Sequence, residues 1–218
     1  MAEILLVRHG ETDWNRLKRL QGHLDIGLND LGRKQAQLLG KALASEKIEV
    51  AYSSDLSRAV DTTQEIIQHH DVPTFIDQSI RERCYGEIQG MTFGEIEKSM
   101  PDNHRAWHSR QVDFQPKGGE SLREFFNRVV VGVSRIALTH LGKRILIVAH
   151  GGVLDCLYRA ASSLSIEDPH RVEMKNTSLN LLNFDGEKFS IIKWGDLSHL
   201  QDINALDEID NSYQSKKS

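Results

Sequence analysis

The stretch EILLVRHG, residues 3–10, decides how this chain is read. Residues 3–8 form a short, continuous apolar run of the kind a strand buried on both faces requires. The run stops at Arg8 and His9, and Gly10 opens a loop. Outward from it the pattern switches between strand and helix. Ala36, Leu39 and Leu43 fall at helical spacing within 31–44, where Asn29 is available as an N-cap. Residues 50–53 read as a second strand, 56–69 as a helix and 73–76 as another strand.

Further along, 91–117 is polar and mixed, with a short helix expected over 93–100 that Pro101 terminates; it reads as an inserted lid. Ser121 and Glu124 form a capping box ahead of an apolar stripe running from Leu122 to Ala137. A buried strand follows over 144–149, a helix over 151–162, and a hairpin of 178–184 with 188–194, turned at Asp185-Gly186. This alternation predicts an α/β fold: a mostly parallel sheet with helices on both faces and ligands beyond the carboxyl ends of its strands. Residues 1–200 read as a single domain, and 201–218 as a polar, frayed tail.

Composition narrows the function. The chain has 218 residues, 39% hydrophobic and 27% charged, which suits one globular unit. Its apolar runs are far shorter than the ~20 residues of a membrane-spanning helix, and the start of the chain lacks the features of a signal peptide. Two cysteines, Cys84 and Cys156, point to a reducing cytoplasm. With 27 Lys and Arg against 31 Asp and Glu, no basic field exists to hold nucleic acid. An anion site in such a chain must be local.

Three clusters lie at expected strand ends. Arg8-His9-Gly10 follows the first strand. Ser53-Ser54-Asp55-Leu56-Ser57-Arg58 spans a strand-to-helix turn, with Ser and Asp as ordinary N-cap candidates. Arg58 in the first helical turn opposes the helix dipole, and free N–H groups beside a guanidinium fork suit a phosphate. The third cluster, His150-Gly151-Gly152, ends the strand over 144–149, and its glycines allow close backbone approach.

Together with RHGETDWN (8–15), QGHLDIGLNDLGRKQA (21–36), SSDLSRAVDT (53–62), ERCYGEIQG (82–90), GGES (118–121) and VAHGG (148–152), these residues make the chain resemble the histidine phosphatase superfamily, also called phosphoglycerate mutase-like. The resemblance implies a three-layer α/β/α sandwich and a phosphohistidine mechanism. His9 would be the nucleophile, Arg8, Arg58 and His150 would hold the phosphoryl oxygens, and Asn15 would add a further contact. Gln21, Gly22 and Gly151 would complete the phosphate site. Glu82 would serve as acid and then base, a role that needs a carboxyl pKa raised toward neutrality. The bland alternative for Glu82 is a surface ion pair with Arg81 or Arg83. No metal or cofactor is expected, since two arginines and a histidine already supply a positive field.

Gln21-Gly22 is similar to the phosphatase branch, whereas Arg83 and Tyr85 resemble the mutase pattern. The short segment between Glu82 and His150 lacks the paired arginines of a cofactor-dependent mutase. The expectation is therefore a phosphatase acting on small, soluble phosphomonoesters, with phosphoglycerate mutase and a non-catalytic phospholigand-binding protein as alternatives. Phe93, Trp107, His108 and Phe114 are candidate lid contacts whose other role is packing the lid down. A homodimer is one of the assemblies the family allows, and no exposed heptad or apolar stripe chooses among them.

Overall fold

A computed structural model describes residues 1–169, 172–201 and 203–207. In chain order the elements are β1 (Ala2–Arg8), α1 (Asp13–Arg16), α2 (Asp30–Leu43), β2 (Val50–Ser53), α3 (Ser57–Ile67) and β3 (Thr74–Ile76). They continue as α4 (Phe93–Ser99), α5 (Pro101–His108), α6 (Leu122–Thr139), β4 (Arg144–Ala149), α7 (Gly151–Ser162), β5 (Leu179–Phe184) and β6 (Phe189–Asp196). One sheet has the order β3-β2-β4-β1-β5-β6. Its first four strands are parallel, while β5 and β6 run antiparallel as a hairpin.

The period of two along β1 builds the three layers. Ile4 and Leu6 point into a core with Phe125, Val129 and Val133 of α6 and Val153, Leu154 and Leu157 of α7. Leu5 and Val7 point the other way, onto Leu39 and Leu43 of α2 and Ala59 and Ile66 of α3. Both faces of β1 are dry, which is why its sequence is continuous rather than alternating. Register positions the site: Arg8 pairs with Ala149, so His9 and His150 leave adjacent central strands side by side.

Four sequence readings change. The loop after β1 folds into α1, closed by a capping box between Thr12 and Asn15. Pro101 does end α4, but it also opens α5 as its first residue, where a missing N–H costs nothing. Helix α3 is capped by Leu56 without a side-chain bond, so neither Ser54 nor Asp55 is its N-cap. The sequence from 201 reads as a frayed tail, yet within 203–207 the carbonyls of Asn204 and Leu206 and the Asp207 carboxylate accept hydrogen bonds from Gln35, Asn176 and Met174. The rest of that expected tail, 208–218, lies outside the described residues.

Helices α2 and α3 touch at Gly40, where an added Cβ would collide with the Glu65 carbonyl oxygen. Gly40→Ala should lower the urea midpoint at unchanged slope, by the ~1–3 kcal/mol typical of overpacking. An unchanged midpoint would mean that the two helices part freely.

Candidate active site

The two histidines are buried and present different atoms. Nδ1 of His9 lies 2.7 Å from the Gly10 carbonyl oxygen. A carbonyl only accepts, so this nitrogen carries the proton and the lone pair stands on Nε2. Burial, together with Arg58 and Arg8, holds the imidazole well below the ordinary histidine range, against a smaller opposing pull from the Gly10 bond. His150 stands edge-on to it, ring centroids 5.2 Å apart. Burial first, then Arg58, His9 and Arg8, also keep His150 well below its ordinary value. Both rings are therefore neutral at neutral pH.

Arg8 and Arg58 are almost wholly buried. Arg8 Nη1 donates to the carbonyls of Met174 at 2.6 Å and Leu206 at 3.0 Å. Arg58 donates to Gly22 at 2.8 Å and Leu24 at 3.0 Å. Thr62 binds the two segments together, accepting from Gly10 N–H and donating to the Arg58 carbonyl. Two of the N–H groups at the start of α3 are already engaged: Ser57 N–H donates to Asp25 and Leu56 N–H to Ser54. Cationic side chains supply the positive field instead.

Glu82 is buried and does not lie on the surface. Its oxygens accept from the backbone N–H groups of Arg83 at 2.7 Å and Gly152 at 3.1 Å. Arg81 pairs with Asp55. A side chain at Gly152 would strike the Glu82 carboxylate, so the second glycine after His150 is what lets the carboxylate reach α7. Gly22 adopts φ +53°, the left-handed region, with its carbonyl on Arg58. Gly151 is buried as the first residue of α7. Asn15 has its oxygen engaged by Thr12.

A cleft lined by His9, Asn15, Arg19, Leu20, Gln21, Arg58, Glu82 and Tyr85 brings five of the expected groups together, whereas Arg8, His150, Gly22 and Gly151 are not among its lining residues. Among the described residues, no group of three or more His, Cys, Asp and Glu side chains could hold a metal ion. Nor is any helix among them long and apolar enough to cross a membrane.

A family model for the histidine phosphatase superfamily (branch 1) matches residues 4–197. The chain belongs to that superfamily. Phosphoglycerate mutase-like protein 4 of Arabidopsis thaliana is 43% identical over 211 residues, covering 94% of this chain and 90% of its own length. The metal-independent phosphoserine phosphatase of the same plant is 37% identical over 209 residues, covering 94% and 86%. Among solved structures, phosphoserine phosphatase from Entamoeba histolytica in complex with 3-phosphoglyceric acid superposes with a TM-score of 0.81 at 25% identity, covering 92% of this chain and all of that one. The phosphatase expected from the sequence agrees with this membership.

Several residues at or behind this candidate site are not singled out by the sequence. Arg19 lines the cleft and holds Glu95 of α4 in a two-pronged ion pair, which ties the 91–117 segment to the β1 side. Asn176 Nδ2 and Thr177 N–H both donate to carbonyls at the end of β1, with Thr177 at φ +55°, a strained conformation for a β-branched residue. The polar run Asn176-Thr177-Ser178 before β5 was the available signal. Phe93 and Trp107 pack with Tyr85 and Leu20 in a small core, so these lid aromatics hold the segment down.

Neutral burial of His9 and His150 has a thermodynamic sign. The unfolded chain takes up protons below about pH 6.5 while the folded one does not, so stability present above that pH is lost as the pH falls. Each ring should cost about 1.4 kcal/mol per pH unit until its own folded pKa is reached. Urea titrations from pH 7 to 5 test this: His150→Asn should flatten the slope, and an unaltered slope would contradict a neutral buried ring.

Proposed function

We propose that this chain hydrolyses small phosphomonoesters without a metal ion, by way of a phosphohistidine at His9. The observation that carries the reading is the neutral His9 ring, its Nδ1 bound to a backbone carbonyl and its Nε2 lone pair available beside two buried guanidinium groups. Nε2 attacks phosphorus in line, and the P–N bond forms as the ester P–O bond breaks. Glu82 gives its proton to the departing alcohol oxygen. Its carboxylate then takes a proton from water as that oxygen attacks phosphorus, breaking P–N and releasing inorganic phosphate. Arg8, Arg58 and His150 hold the equatorial oxygens, where charge builds up, and Asn15 adds an amide donor. Gln21 lines the cleft, Gly22 holds Arg58 through its carbonyl, and Gly151 follows His150 at the start of α7.

For substrate we favour phosphorylated hydroxy acids of the phosphoserine kind. The relative named for phosphoserine supports this, as does the presence of Arg19 in the cleft lining beside Arg58. Phosphoglycerate isomerisation is the second reading, supported by the mutase-like relative. Both cysteines are free thiols, which suits a reducing cytoplasm.

The test is phosphate release from phosphoserine, 3-phosphoglycerate, sugar phosphates and p-nitrophenyl phosphate in chelator, with isomerisation followed in parallel. His9→Ala should abolish release. Glu82→Gln should cut kcat/KM for phosphoserine by ~10²–10⁴, and much less for p-nitrophenyl phosphate, whose leaving group needs little protonation. Equal losses on both esters would remove Glu82 as the acid, and isomerisation without release would establish the mutase.

A further inference from the structure

His150 can serve an anion only if the nitrogen facing it carries a proton. A neutral imidazole has one N–H and one lone pair, and a lone pair would repel a phosphoryl oxygen. Two observations bear on which nitrogen has the hydrogen. Nε2 of His150 lies 2.9 Å from Ser54 Oγ, with both residues fully buried. Nδ1 is buried too, and has no hydrogen-bond partner. The question then becomes where the Ser54 hydroxyl sends its own proton.

Ser54 Oγ has two neighbours in hydrogen-bond reach, His150 Nε2 and the N–H of Leu56 at 3.4 Å. The Leu56 N–H can only donate, so it occupies an oxygen lone pair. His150 Nε2 is left as the acceptor for the serine proton. Ser53, one residue earlier, is no competitor, since its hydroxyl donates to the Ser54 carbonyl at 2.8 Å.

We propose that Ser54 is a positioning residue that fixes the tautomer of His150, donating to Nε2 so that Nδ1–H is the group turned to the phosphoryl oxygens. The inference rests on the reading of this site as a phosphoryl cradle and extends it to a residue that does not touch the substrate. It also explains the asymmetry of the pair. A carbonyl acceptor on Nδ1 makes His9 a lone-pair nucleophile through Nε2, and a hydroxyl donor on Nε2 makes His150 an N–H donor through Nδ1. Two identical side chains, 5.2 Å apart, acquire opposite roles from one partner each. Burial and the neighbouring cations, which together keep His150 neutral, make the choice of tautomer matter, because an imidazolium would donate from both nitrogens.

The experiment is ¹⁵N–¹H correlation of the histidine rings in the full chain without substrate, with His150 assigned by its loss in His150→Asn. Wild type should show His150 protonated at Nδ1, and Ser54→Ala should move it toward the Nε2–H form. In parallel, Ser54→Ala should lower kcat/KM for phosphoserine by about ten- to a hundredfold, short of the ~10²–10³ that deletion of a donor itself costs. Ser53→Ala, an equally buried neighbour, should leave both tautomer and turnover unchanged. A wild-type His150 protonated at Nε2 overturns the proposal with no variant needed, even if Ser54→Ala fails to fold. So does a Ser54→Ala enzyme that retains the Nδ1–H form and full turnover. Because the tautomer is read without substrate, its result stands apart from the phosphatase reading, which phosphate release by wild type decides separately.

Discussion

Two guanidinium groups buried at one end of the sheet set the terms for everything around them. Arginine cannot shed its charge, so Arg8 and Arg58 must find oxygen atoms wherever water is excluded. They find backbone carbonyls of Met174, Leu206, Gly22 and Leu24, contributed by segments distant in sequence. Each such grip fixes a loop and closes the site at the same time. The same charges act on the rings beside them: burial first, and then the positive field, keeps His9 and His150 unprotonated. A pocket that holds an anion, as proposed above, would thereby keep its own nucleophile in the reactive form.

Close backbone approach is the second requirement. Glu82 reaches the first turn of α7 because Gly152 offers an N–H and no side chain. Gly22 takes a left-handed turn that sends its carbonyl to Arg58. Thr177 enters the same region without being glycine, a strain of about 1–3 kcal/mol that its hydrogen bond to the Arg8 carbonyl and the neighbouring Asn176 clamp help to offset. Rigid strand ends, held from behind by these contacts, are what place two histidines edge to edge.

Legibility followed the range of the interactions involved. Strands β1 and β4 and helix α6 could be read directly, because a buried strand needs an unbroken apolar run and a capped amphipathic helix needs a box and a stripe. Helix α5 was hidden by Pro101, which signals an end when read forwards and a beginning when read from the helix it opens. The cap of α3 was misassigned because Ser54 and Asp55 had local roles to offer but were engaged by distant partners, His150 and Arg81. The fixing of 203–207 was invisible because two of its three anchors are backbone carbonyls, which any residue supplies.

What the sequence determined by itself was the set of layers, the alternation of strand and helix, and the identity of the charged and nucleophilic groups at strand ends. These depend on periodicity and residue type, which are properties of the chain. Only the tertiary structure decided where the groups lie: Glu82 as a buried carboxyl, Arg19 in the cleft lining, and a different hydrogen-bond partner for each of the two histidines. Those assignments depend on which carbonyl or hydroxyl lies within three ångströms of a given nitrogen. Strand register and loop return settle that, through contacts between residues as far apart as Ser54 and His150.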